Sequence, residues 1–117
     1  MVDVEHVVAL KSAWESGAWK WTDKKRELYA NDMTYDWHLL PVTKGDNRSK
    51  GFKSPNQWMP PNKKFHIAYC IIWIHIKVSW GLTATQEEND FIRNVLVKHD
   101  KRKNKSKWPR VYPKVRE

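Results

Sequence analysis

His38-Leu39-Leu40-Pro41-Val42-Thr43-Lys44-Gly45-Asp46-Asn47-Arg48-Ser49-Lys50-Gly51 reads as a strand, a turn and the opening of a short helix. Residues 38–42 supply a short apolar run of β type, and Thr43-Lys44-Gly45-Asp46-Asn47 is rich in residues that break regular structure. Residues 48–50 then open a short helix or turn. A second strand is expected over residues 1–6, where Val2 and Val4 alternate with Asp3 and Glu5, the period-two pattern of a strand with one buried face. Strand, connection, strand and short helix is therefore the expected order. It sets a carboxylate and a histidine, Glu5 and His6, at the end of the first strand. The implied fold class is α+β.

Working outward, residues 9–14 favour helix and Gly17 breaks it. Thr22 is a good N-cap with Asp23 in the first turn, so residues 24–30 should be helical, ending at Asn31-Asp32. Residues 54–62 hold Pro55, Pro60 and Pro61, which cannot donate backbone hydrogen bonds, so this is an irregular loop that wraps Trp58 and Met59 onto the core. Over residues 63–80 two patterns compete. Ile74, Ile76 and Val78 alternate with His75, Lys77 and Ser79, while Tyr69, Trp73, Ile76 and Trp80 fall on one helix face; length favours helix. Thr85 caps a further helix running to about residue 97, with Phe91, Ile92, Val95 and Leu96 inward. Trp14, Trp58, Trp73 and Trp80 are expected in the core rather than stacked on bases.

A chain of 117 residues with 40% apolar content and eight tryptophans should build one hydrophobic core. The longest apolar stretch, residues 69–74, is far short of the ~20 residues that cross a bilayer, and no signal peptide is legible at the N-terminus. The reading is no membrane and an intracellular compartment. Cys70 is the one cysteine, which excludes a disulfide framework within the chain and a zinc site built on cysteines. The net charge of +9 is uneven: residues 98–117 carry nine Lys or Arg against two acids, whereas residues 1–97 are near balance. We therefore divide the chain into a domain over 1–97 and a basic C-terminal tail over 98–117, mobile when free. Such a tail is the electrostatic footprint of a polyanion binder.

The stretch from Asp3 to Leu82 resembles the small HNH, or His-Me finger, nucleases related to the C-terminal domain of the GmrSD restriction enzymes. The resemblance rests on D-V-E-H-V-V-A-L at 3–10, A-W-E-S-G-A at 13–18, A-N-D at 30–32, N-R-S-K-G at 47–51 and W-M-P-P at 58–61. Tyr69, Trp73, Lys77 and Gly81-Leu82 complete the pattern. It implies a ββα-metal core with additional packing helices, and a metal-dependent DNA endonuclease that nicks or cuts by hydrolysing phosphodiester bonds. It further implies that His6 is the general base and that Glu5 and Asn47 hold one divalent cation per site, Mg2+ or Mn2+. Two positions depart from the family: Glu5 stands where Asp is usual, and His38 where HNH motifs often have Asn.

That chemistry is physically sensible. Hydrolysis needs a base to take a proton from water, and histidine is the residue type whose ordinary pKa suits this near neutrality. A hard divalent ion held by a carboxylate, an amide oxygen and waters keeps positions for the scissile phosphate. Arg48 and Lys50 are placed to contact phosphate or stabilise its developing charge, and His38 to orient His6 or the loop or to act as a third metal ligand, with a plain surface histidine as the alternative. Lys77 is expected near the site by resemblance, with a helix lysine that lays its stem on apolar surface as the alternative. Lys101, Arg102, Lys103, Lys105 and Lys107 should bind DNA through its backbone. Asp3 reads as a solvated strand residue, His66 as a phosphate neighbour, and His75 and His99 as surface residues. Trp108 and Tyr112 either stack on bases or pack back on the domain. The competing readings are a catalytically impaired nucleic-acid-binding module on the same scaffold and a subunit of a larger DNA-processing complex. A second copy or a partner protein would then complete the N-terminal edge. The expected setting is the cytoplasm of a bacterium or a phage-infected host.

Overall fold

Strand β1, Val2–His6, pairs antiparallel with β2, Leu39–Thr43, in a register that sets Val2 against Thr43, Glu5 against Leu40 and His6 against Leu39. The computed structural model describes residues 2–32 and 39–116; for residues 2–5, 39–44, 46 and 47 it describes the backbone only. Two strands cannot make a core alone. Helices α1, Leu10–Glu15, and α2, Asp23–Ala30, lie in the connection between them. Helix α3, Lys44–Lys50, follows β2 without a gap and packs against both strands. Helices α4, His66–Ser79, and α5, Gln86–His99, pack on each other. The described chain is thus α+β, as expected.

Local chemistry explains most boundaries. The Thr22 hydroxyl accepts from the Lys25 N–H at 3.1 Å and starts α2. At α5, Thr85 and Glu88 form a reciprocal cap: the Glu88 N–H donates to the Thr85 hydroxyl at 3.1 Å, and the Thr85 N–H donates to the Glu88 carboxylate at 2.8 Å. Of the two patterns over residues 63–80, the helical one is realised. One boundary departs from expectation. Residues 44–47 are not a turn but the first part of α3. Packing on both strands outweighs the weak helix propensity of Gly45, Asp46 and Asn47. Gly51, at φ 53°, then ends the helix in the left-handed conformation that glycine adopts without cost.

Tyr69, Cys70, Trp73, Ile74 and Ile76 of α4 form the centre of the core, with Val7 and Val8 just after β1, Leu82, Ala84, and Ile92 and Leu96 of α5. Trp58 and Met59 pack on it from the proline-rich loop. Trp14 does not. It is 50% exposed, on a helix only six residues long, with the Arg26 guanidinium over its ring. Among the described residues no helix is long and apolar enough to cross a membrane.

The C-terminal segment differs most from expectation. It is not a mobile tail but an arm folded back on the domain. The Asp100 side chain, 2% exposed, accepts from the Arg102 N–H, Nε and Nη2 and from Trp108 Nε1 at 2.7–3.1 Å, and Lys105 Nζ donates to the Asp100 carbonyl. Trp108 and Tyr112 join the core edge, and the Arg93 guanidinium lies over the Tyr112 ring. Farther on, Ala84 and Val115 form a parallel bridge, and Asn89 donates to the Pro113 carbonyl.

Candidate active site

His6 is the last residue of β1, and beyond it the chain descends into the interior: Val7 and Val8 are each 1% exposed. Two tyrosine hydroxyls reach the carbonyls of this descending segment, Tyr29 to Val8 at 2.8 Å and Tyr69 to Val7 at 3.5 Å. The His6 ring lies nearly parallel to the Tyr29 ring, with centroids 5.9 Å apart and planes 12° apart. Tyr29 in turn meets Trp80 edge-on and Trp21 at a tilt. A histidine at a strand end thus rests on an aromatic shelf supplied by α2. Burial, followed by the charge of Asp32, pushes the Tyr29 hydroxyl above the usual tyrosine range, so it stays protonated.

Nε2 of His6 lies 2.9 Å from the carbonyl oxygen of Ala30, the last residue of α2. A carbonyl only accepts, so Nε2 carries the hydrogen, and in the neutral ring Nδ1 holds the lone pair. The carbonyls of a helix's last turn have no intrahelical partner, and His6 satisfies this one. In the sequence, A-N-D at 30–32 is only a pattern. The structure gives it content: Ala30 orients the base, Asn31 ends α2 with its amide donating to the Glu27 carbonyl, and Asp32 places a carboxylate charge beside Tyr29.

The backbone brings Glu5 and His6 on β1 together with the helix that carries Asn47, since α3 packs on both strands. The side chains of Glu5 and Asn47 lie outside the described residues, as does His38 entirely. Arg48 is exposed, as a phosphate contact requires. Lys50 is fully buried, so its ammonium is not on the outer surface where a duplex was expected to meet it. Lys77 is also fully buried, and its ammonium donates to Ser16 Oγ at 2.6 Å and the Thr83 carbonyl at 2.7 Å, over the Trp73 ring. Its role is to join α4 to the segments around Ser16 and Thr83. His66, expected near phosphate, has Nε2 2.6 Å from the Pro60 carbonyl and secures the proline-rich loop. Lys101, Arg102, Lys103, Lys105 and Lys107 are exposed on the arm.

Among the described residues no three His, Cys, Asp or Glu side chains converge. The expected donor set, one carboxylate and one amide oxygen, has the hard-oxygen chemistry that suits a Mg2+ or Mn2+ ion. Cys70 offers no softer alternative, since burial pushes its thiol up to about 12.

The described residues thus form an α+β domain in which a strand-end histidine, held by a backbone carbonyl, sits on a strand pair packed by a helix. The chain belongs to the family of GmrSD restriction endonucleases, C-terminal domain, which matches residues 1–95. Over 95 residues, 81% of this chain, it is 37% identical to a protein of the fungus Arthroderma benhamiae described as an uncharacterized secreted protein. The chain spans about half, 46%, of that relative's length. No solved structure matches it. The expectation of a bacterial or phage-infected cytoplasm is overturned by this relative, which is fungal and described as secreted.

Proposed function

We propose that this chain is an extracellular, divalent-metal-dependent DNA endonuclease with a ββα-metal core formed by β1, β2 and α3, and with His6 as its general base. The observation that carries the reading is the 2.9 Å contact from His6 Nε2 to the Ala30 carbonyl. It fixes the ring so that Nδ1 is the proton acceptor, and the aromatic shelf holds its plane. In the reaction Nδ1 takes a proton from water as the water oxygen forms a bond to phosphorus. The phosphorus–oxygen bond to one sugar breaks, and that oxygen leaves with the electron pair.

Glu5 and Asn47 would hold the cation. When bound, it supplies Lewis-acid stabilisation of the phosphate and of the leaving oxygen. Arg48, exposed on α3, contacts the phosphate backbone.

The test is conversion of supercoiled plasmid to nicked or linear DNA with magnesium or manganese, with and without chelator. We expect chelator to abolish conversion and His6→Ala to slow it by at least ~10²-fold, the lower range for loss of a general base, while DNA affinity holds. A folded His6→Ala protein as active as the wild type would remove His6 from the mechanism. DNA binding without cleavage in any divalent metal would leave a binding module on the same scaffold.

A further inference from the structure

The outer face of α4 is left uncovered along one stripe. Ala68, Ile71, Ile72 and His75 fall at i, i+3, i+4 and i+7, which is one face of a helix. Ala68 and His75 are exposed, and Ile71 and Ile72 are half-buried. The C-terminal arm runs beside this stripe. Arg102 and Lys107 close a cavity of about 390 Å3 over Ala68, Ile71, Ile72 and His75. Arg102 and Ala68 also line a second cavity of about 600 Å3, walled by Lys63, Lys64, His99 and Lys101. Because the two share Ala68 and Arg102, they form one groove with a cationic half and an apolar half.

The charge of this groove is uncompensated. Asp100 is its one acid, and that carboxylate is occupied by Arg102 and Trp108. Among the described residues, Lys63, Lys64, Lys101 and Lys107 form no ion pair. The Asp100 contacts hold the arm in place. Arm residues 98–117 lie beyond the family match, which ends at residue 95, so one wall of the groove comes from the matched domain and the other from outside it.

We propose that this groove is a second nucleic-acid site, a track built without His6 that grips a strand of the DNA being cut. Phosphates lie along Lys63, Lys64, Lys101 and Arg102, and a sugar or an unstacked base lies on the Ile71 and Ile72 stripe under Lys107. A row of cations in which Lys63, Lys64 and Lys101 form no described ion pair fits the phosphate backbone, and an apolar floor beside it fits a base face, the pairing found where single strands are held. The proposal takes DNA as ligand from the function proposed above, but it does not need His6 chemistry.

The test is fluorescence anisotropy of labelled single-stranded and duplex oligonucleotides in chelator, so that binding is read without cleavage, on the full chain and on Lys63→Glu/Lys64→Glu and Lys107→Glu. These three lysines are exposed and form no described ion pair, so the variants keep the fold, which circular dichroism checks. We expect the double variant to bind roughly tenfold or more weakly at low salt. Its slope of log K against log salt should flatten by about 2, since each phosphate neutralised on a duplex adds about 0.9 to that slope. Plasmid conversion at saturating DNA should be unchanged. Folded variants with wild-type affinity and slope would overturn the proposal. So would variants that keep DNA binding but lose binding to phosphatidylglycerol vesicles, which would assign the groove to an anionic lipid surface. A wild-type chain that binds through the groove but never cleaves would refute the nuclease reading and leave the groove standing.

Discussion

Replacing Lys77 by methionine should flatten the pH dependence of this protein's stability. The Lys77 ammonium is fully buried, and burial brings it down from its ordinary 10.5 to about 7, against the pull of Glu88 and with a small push from Arg116. In the unfolded chain the group is solvated and keeps its ordinary value. Between about pH 7 and 10.5 the unfolded state therefore binds a proton that the folded state has released, and stability must rise with pH across that window. The slope from this group is up to about 1.4 kcal/mol per pH unit. Below about pH 7 both states are protonated, and the folded state bears the whole penalty of a buried ammonium. Methionine keeps an unbranched side chain against the Trp73 ring and removes the charge. It orphans no carbonyl, because the Thr83 carbonyl also accepts from Arg116 Nη1 at 2.9 Å, and the Ser16 hydroxyl still donates to the Ser12 carbonyl. At pH 7 Lys77→Met should lie within about 2 kcal/mol of wild type, on either side, whereas Lys77→Ala should lose about 2–4 kcal/mol by opening a cavity. Urea titrations at pH 6.5, 8 and 9.5 measure this directly. A wild-type slope no steeper than that of Lys77→Met would refute the assignment of a buried, depressed lysine.

Tyr29→Phe keeps the shelf under His6 but removes the 2.8 Å bond to the Val8 carbonyl. It should cost about 1–3 kcal/mol in chemical denaturation, because it leaves that buried acceptor unpaired, and cleavage should fall more than DNA affinity. Truncation at residue 108 removes Arg116, which bonds Thr83, and Pro113, Val115 and Tyr112, which cover α5 and Ala84. The melting temperature should drop by several degrees, a shift that a merely solvated tail would not produce.

Where the sequence is legible, one strong local signal stands at each place. Thr22 and Thr85 announce the starts of α2 and α5 because a cap is a contact within three residues, visible without the rest of the fold. The strand pair is legible from alternation around Val2 and Val4 and from the apolar run before Thr43, and the strand-end histidine from its place at the end of that alternation. The orientation of His6 is not. Its partner is a backbone carbonyl 24 residues away, which no side-chain pattern records, so Ala30 and Tyr29 enter the site only through tertiary structure. Lys77 misleads for a related reason. A lysine on a helix reads as a surface residue unless its neighbours in space, here Ser16 and Thr83, are known to accept from it.

The C-terminal arm shows how far charge counting reaches. Nine cations in twenty residues describe a chain that repels itself and stays solvated, and that inference holds when nothing in the segment can pay for order. Here four residues reverse it. Asp100 gathers the Arg102 and Trp108 donors, which hold its carboxyl well below the usual carboxylate range. Trp108 and Tyr112 bring apolar area to the core edge, and Pro113 presents its carbonyl to the buried Asn89 amide. The cations remain exposed while the backbone that carries them is fixed. This matters for binding, because a mobile tail must be ordered by its ligand at a cost in conformational entropy, whereas a fixed arm has met that cost during folding. The same net charge therefore supports a stronger expectation than sequence allowed: a defined row of cations along α4, with affinity set by which lysines face the groove rather than by how many the segment contains.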